Sequence, residues 1–128
     1  MTTVTVKASQ TYDVKIGRGL LDTLGEEATR AFKGRTVCIV SDSNVAPHYL
    51  SQATHSLERA GFTVLAFVFP AGEEHKNGHT YLSLLEYLAQ EHLTRADGLV
   101  ALGGGVVGDL TGFAAATYLR GIPFLQLP

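Results

Sequence analysis

Asp97-Gly98-Leu99-Val100-Ala101-Leu102-Gly103-Gly104-Gly105-Val106-Val107-Gly108-Asp109 decides the fold. Residues 97–102 form a short apolar run that reads as a strand, and 107–118 read as a helix, with a glycine turn between them. The turn contains G-x-G-x-x-G at Gly103, Gly105 and Gly108. Glycines at such a junction let backbone N–H groups approach a pyrophosphate, and the helix N-terminus favours negative charge. Packing alone also produces glycine-rich strand–helix turns, so both readings stand at this point. In an ordinary dinucleotide-binding domain the motif opens the first βαβ unit, and an acid follows ~20 residues later. Here it lies late and no Asp or Glu follows Asp109, so any dinucleotide is held in a different arrangement.

Working outward, the same strand–helix alternation fills the chain. Val4 and Val6 alternate with Thr5 and Lys7, and Tyr12, Val14 and Ile16 with Asp13 and Lys15. These predict two strands in an N-terminal β-hairpin, each with one wet face. Gly17-Arg18-Gly19 ends the second strand, and 20–32 read as a helix. Thr36-Val37-Cys38-Ile39-Val40 lacks polar alternation, which suits a parallel strand buried on both faces. A helix over 44–60 follows, with Val45, Tyr49, Ala53 and Leu57 on its inner face and Gly61 closing it. Residues 63–69 form another apolar strand, stopped by Pro70. A helix over 76–93 carries Tyr81, Leu84, Leu85 and Leu88 at helical spacing, and 122–127 form a last strand. The order predicts an α/β fold with an open, mostly parallel, Rossmann-like sheet and helices on both faces. The last strand is expected at a sheet edge, unpaired and prone to association. Ligands of such sheets bind outside the carboxyl ends of the strands, so chemistry is sought in the loops there.

Composition narrows the function classes. The chain has 128 residues, 45% hydrophobic and 17% charged, with a formal net charge of −2, the profile of one compact domain. No basic cluster is present to neutralise the phosphates of a nucleic acid. No apolar run approaches the ~20 residues of a membrane span, and Met1-Thr2-Thr3-Val4 does not resemble a signal peptide. The single Cys38 excludes an internal disulfide and points to a reducing, cytoplasmic compartment.

Several residues at strand ends could carry chemistry. Asp109, in the first turn of its expected helix, is either a dipole partner or cap, or an acceptor for ribose or nicotinamide-side groups. Asp42 and Asn44 in Ser41-Asp42-Ser43-Asn44 read as helix caps, yet an acid there also accepts ribose hydroxyls. Pro70-Ala71-Gly72-Glu73-Glu74-His75-Lys76 is either a solvated helix start or a carboxylate and ammonium set for ribose and phosphate. His75 and His79 have the spacing of a helical zinc pair, but no third ligand is near, and no metal site is expected inside the chain. His48, His55 and His92 read as surface residues, and Cys38 as core rather than nucleophile. Arg120, before Gly121, is either a helix-end cation or an anion ligand.

Together these segments resemble the 3-dehydroquinate synthase family of sugar-phosphate cyclases. The resemblance rests on Tyr12-Asp13-Val14-Lys15-Ile16-Gly17, Ser41-Asp42-Ser43-Asn44-Val45 and Gly72-Glu73-Glu74-His75-Lys76. Its most specific part is the block running from Gly103 through Asp109 and Leu110 to Arg120-Gly121. It covers the whole chain as the amino-terminal, NAD-binding part of a longer enzyme. The resemblance implies conversion of DAHP to 3-dehydroquinate in the shikimate route: transient oxidation by bound NAD, elimination of phosphate, re-reduction and an internal aldol step. It implies a divalent metal, zinc or cobalt, that polarises the hydroxyl being oxidised. It implies that Asp42, Asn44 and the Ala71-Gly72-Glu73-Glu74-His75-Lys76 loop hold an adenosine ribose, with Glu73 and Lys76 foremost. Gly104, Gly105 and Val106, followed by Val107 and Gly108, would meet the pyrophosphate, and Asp109 would lie near the nicotinamide ribose. Arg120 resembles an arginine that reaches the substrate phosphate of the neighbouring subunit, which implies a homodimer.

The chain stops at Phe124-Leu125-Gln126-Leu127-Pro128, before the family's catalytic lysines and metal-binding helical domain. The expectation is a single domain over 1–128 with no catalytic residue or metal ligand of its own, and no turnover by the chain alone. Metal-dependent alcohol and glycerol dehydrogenases are rivals, but usually place a Ser after the triple glycine where this chain has Val106. Other sugar-phosphate cyclases, and a non-catalytic nucleotide-binding domain, are the remaining alternatives.

Overall fold

The chain's structure, a computed structural model, describes residues 2–7, 11–16, 20–72 and 78–127, with side chains from Leu21 onward. The elements are β1 (Thr2–Lys7), β2 (Thr11–Ile16), α1 (Leu20–Ala31), β3 (Thr36–Asp42), α2 (Ala46–Arg59) and β4 (Thr63–Phe69). They continue with α3 (Gly78–Gln90), β5 (Gly98–Leu102), α4 (Gly105–Thr117), a 3-10 turn (Tyr118–Arg120) and β6 (Phe124–Leu127). The six strands form one sheet in the order β1-β2-β6-β5-β3-β4. Every neighbouring pair is parallel except β1 with β2. The N-terminal pair is not a hairpin standing apart: β2 also runs parallel to β6, with Asp13 opposite Leu125 and Val14 opposite Gln126.

The pleat of β3 divides the core. Val37 and Ile39 pack with Leu24 and Ala28 of α1, with Phe32 just beyond it, and with Ala53 and Leu57 of α2. Cys38 and Val40 point the other way, into Leu84 and Leu88 of α3 and Val107 and Ala114 of α4. Successive side chains of a strand face opposite sides, so an unbroken apolar run buries both. All five inner residues of β3 are buried accordingly.

One expectation fails. β6 is not an edge: it pairs Phe124–Leu127 with Leu99–Leu102 of β5 and lies against β2 on its other side. The parallel edge falls instead at β4, which reads as apolar but alternates between exposed and half-buried until Phe69. Neighbours set a strand's burial, and β4 has one on a single side.

Helix ends also shift. α2 starts at Ala46 rather than 44, because the Asp42 carboxylate first draws Asn44 and Val45 into a turn. α3 stops at Gln90 rather than 93, where His92 takes φ +61 and the Leu93 N–H returns to the Leu88 carbonyl at 3.1 Å. α4 begins two residues earlier than expected, at Gly105, so part of the glycine motif is itself helical.

Candidate functional site

The crossover after β3 leads to β4 on one side, and the crossover after β5 leads to β6 on the other. Their helices therefore leave toward opposite faces and open a crevice at the carboxyl ends of β3 and β5, the usual ligand position in such sheets. At its floor the buried Ser41 hydroxyl donates to the Leu102 carbonyl at 2.7 Å and ties the two strand ends together.

The glycines of the turn separate into two kinds. Gly103 sits at φ +150, donates its N–H to the Leu127 carbonyl at 2.9 Å, and has Val107 Cγ2 2.9 Å from where a Cβ would stand. Gly108 lets α4 back directly onto the Gln126 amide. Chain geometry and packing account for both. Gly104 and Gly105 differ: neither has a positive φ, and a Cβ at either would meet nothing within 4 Å. Helical Gly105 is even less stable than Ala there, by about 1 kcal/mol. Folding does not call for glycine at 105, as it can at the N-cap Gly104; an open approach to backbone N–H groups does.

Those N–H groups belong to an uncapped helix start. The first bond closing α4 runs from the Gly108 N–H to the Gly104 carbonyl at 3.0 Å. Among the described residues no side chain caps Gly104, and no acid lies in the first turn. The leading N–H groups thus present partial positive charge to the crevice, suited to an anionic oxygen cluster such as a pyrophosphate.

Asp109 is the fifth residue of α4, beyond the first turn, and is neither buried nor a cap. It lines a cleft of about 510 Å³ with Phe69, Gly78, Tyr81, Val106, Leu110 and Phe113. Sequence reading missed the aromatic wall of that cleft. The Tyr81 and Phe113 rings lie 4.7 Å apart, and the Tyr81 hydroxyl bonds the Thr117 hydroxyl at 2.6 Å. The two rings come from different helices, so no spacing in the chain announces them.

Across the crevice, Asp42 is half-buried and its Oδ1 accepts the N–H groups of Asn44 at 3.0 Å and Val45 at 2.9 Å. It closes the turn before α2 rather than capping the helix, whose N-cap is Val45, and among the described residues its Oδ2 accepts no hydrogen bond. Asn44 is exposed beside it. Ala71 donates its N–H to the Ser43 hydroxyl at 2.9 Å, and Gly72 turns the chain at φ +136. Glu73, Glu74, His75 and Lys76 lie outside the described residues, as does one half of the His75/His79 pair. Among the described residues no group of three or more His, Cys, Asp or Glu is placed to hold a metal. Cys38 is buried, and burial followed by the nearby Glu91 pushes its thiol up to about 12, so it offers no thiolate for catalysis.

Arg120 does not join this site. α4 carries the chain from the carboxyl end of β5 toward the amino end of β6, and its 13 residues span about 20 Å. Arg120 lies beyond that far end, exposed, in a turn where Leu119, Arg120 and Gly121 all have positive φ (49°, 68° and 120°). Two non-glycine residues in succession in the left-handed region are costly and are found where surroundings impose them. Here the Gly121 N–H returns to the Tyr118 carbonyl at 2.8 Å and the Tyr118 hydroxyl donates to the Leu93 carbonyl at 2.8 Å.

Residues 66–128 match the family described as 3-dehydroquinate synthase N-terminal. A 3-dehydroquinate synthase of Latilactobacillus sakei subsp. sakei is 46% identical over 129 aligned positions, covering 100% of this chain and 36% of that protein. The chain therefore spans about a third of the length of that relative. A 2-deoxy-scyllo-inosose synthase solved with carbaglucose-6-phosphate, NAD+ and Co2+ superposes with a TM-score of 0.82 at 26% identity, over 99% of this chain and 35% of that one. A 2-epi-5-epi-valiolone synthase from Streptomyces hygroscopicus subsp. jinggangensis 5008, with NAD+ and Zn2+ bound, gives 0.69 at 26%, over 98% and 34%. With the crevice and the split glycine turn, residues 66–128 match the N-terminal part of the 3-dehydroquinate synthase family, and the whole chain is similar to it.

Proposed function

We propose that residues 1–128 are the NAD-binding domain of a 3-dehydroquinate synthase, acting on DAHP in the complete enzyme. The observation that carries the reading is the open space at Gly104 and Gly105 before an uncapped helix start. That is a cradle a Cβ would narrow and a pyrophosphate would fill. The likeness to cyclases solved with NAD+ supports it.

The backbone N–H groups of Gly104 to Val107, which precede the first bond of α4, receive the pyrophosphate. Asp42, its Oδ1 already engaged, offers Oδ2 to the adenosine ribose hydroxyls, with Asn44 and the 71–76 loop beside it. Asp109 accepts from the nicotinamide ribose at the mouth of the aromatic-walled cleft. When bound, NAD supplies a reversible hydride acceptor, and a zinc or cobalt ion held by residues beyond this chain supplies the polarisation of the reacting hydroxyl. This chain's residues bind and orient; none of them moves a proton. Arg120 is assigned to the substrate phosphate of a neighbouring subunit, so the working unit is a homodimer. The reading places the protein in the cytoplasm, where the free Cys38 thiol stays reduced. No helix among the described residues is long and apolar enough to cross a membrane.

Calorimetric titration of NAD into the purified 128-residue protein, alongside Asp109→Ala, tests this. Saturable binding that the variant weakens is expected, together with no conversion of DAHP even when metal is supplied. A folded protein that binds no NAD overturns the independent cofactor role, and product formation overturns the assignment of catalysis to residues beyond the chain.

A further inference from the structure

We propose that Ser43 is a positioning residue for the cofactor: it does not touch the dinucleotide, but fixes the loop after β4 relative to Asp42. The inference rests on the NAD-binding reading above. The last register pair between β3 and β4 is Asp42 with Phe69. Beyond it the two loops leave the sheet and nothing in the ladder holds them together. Ser43 supplies the missing tie with two bonds. Its N–H donates to the Phe69 carbonyl at 2.9 Å, and its hydroxyl accepts from the Ala71 N–H at 2.9 Å.

The dipeptide Asp42-Ser43 thus divides the work. Asp42 Oδ1 fixes its own loop through Asn44 and Val45. Ser43 fixes the neighbouring one, just before Gly72 turns the chain at φ +136. Both loops are assigned to one ribose, and a diol is recognised only if its acceptors and donors keep a set spacing. Without the hydroxyl, the Ala71 N–H turns to water, and the loop must be ordered when the ligand arrives, at a cost in affinity.

The test is NAD titration of the protein, Ser43→Ala and Ser43→Thr, with thermal unfolding of each. Ser43→Ala is expected to raise Kd about fivefold, the loss of one hydrogen bond. Ser43→Thr keeps an accepting hydroxyl and is expected to restore Kd to within about twofold. A merely structural serine would lower the unfolding midpoint without this pattern of loss and rescue. No saturable NAD binding by the unsubstituted protein overturns the cofactor reading and this proposal together. Binding that Ser43→Ala leaves unchanged, or that Ser43→Thr fails to restore, overturns the proposal alone.

Discussion

A single methyl group separates the two explanations of the glycine turn. At Gly105 a Cβ meets open space and the backbone is already helical. Gly105→Ala is therefore expected to leave stability unchanged or raise it by up to about 1 kcal/mol, while weakening NAD binding about tenfold or more by crowding the N–H groups. At Gly108 the same change drives a methyl into the Gln126 amide; it is expected to cost about 1–3 kcal/mol through overpacking. Denaturant midpoints and NAD titrations on both variants check the pair. If Gly105→Ala loses stability but not affinity, that glycine serves packing. The motif was legible in the sequence; this division of labour was not, because it depends on what stands opposite each position in three dimensions. Asp97 makes the same point. It reads as the start of a strand, yet its carboxylate is buried. It accepts from the Thr36 N–H at 3.1 Å and the Thr94 N–H at 2.8 Å, joining segments 61 residues apart.

At the scale of elements, period and run length located each described strand and helix, because side-chain direction alternates locally whatever the neighbours do. Sheet order was not legible: nothing in Phe124-Leu125-Gln126-Leu127 says that β2 covers its outer side, and β4 carries an apolar sequence at an edge. The β3–α3 contact gives a prediction with a definite sign. Cys38 lies in β3, and burial first and Glu91 second push its thiol from 9.0 up to about 12. Tyr87 of α3 is also raised, by burial and then by Cys38 and Glu91. The folded state holds the thiol proton that the unfolded chain releases near its ordinary value. This contribution is fully present below pH 9 and is lost as pH rises from about 9 toward about 12, with a slope near 1.4 kcal/mol per pH unit. Cys38→Ala is expected to remove the part of the slope that begins near pH 9, before the tyrosines titrate. Urea unfolding between pH 8 and 11 measures it, and equal slopes for both proteins would show that the thiol is not held neutral.

At the scale of the whole molecule, the distance between Arg120 and the glycine turn constrains the assembly. The guanidinium lies past the far end of a 13-residue helix, about 20 Å from the crevice, and a side chain does not cross that. An arginine that binds substrate phosphate from this place must serve another copy's site, and the turn that carries it is held from both sides. The Tyr118 hydroxyl bonds the Leu93 carbonyl, and the Ile122 N–H bonds the Ala115 carbonyl at 2.7 Å. Sequence resemblance set Arg120 apart from the cofactor residues as a contact to a neighbouring subunit's substrate, and the fold shows how far apart: it lies past the far end of α4. The expected outcome is complementation in the complete enzyme. Arg120→Ala and Asp109→Ala homodimers each lose most activity. A mixed dimer regains one whole site, in which intact Asp109 of the Arg120→Ala copy meets intact Arg120 of the Asp109→Ala copy, while both lesions fall in the other site. Random exchange of subunits should restore about a quarter of the unsubstituted activity, since half the dimers are mixed and each has one whole site. If mixing the two inactive variants restores nothing while exchange is verified by mass, Arg120 does not act across the interface.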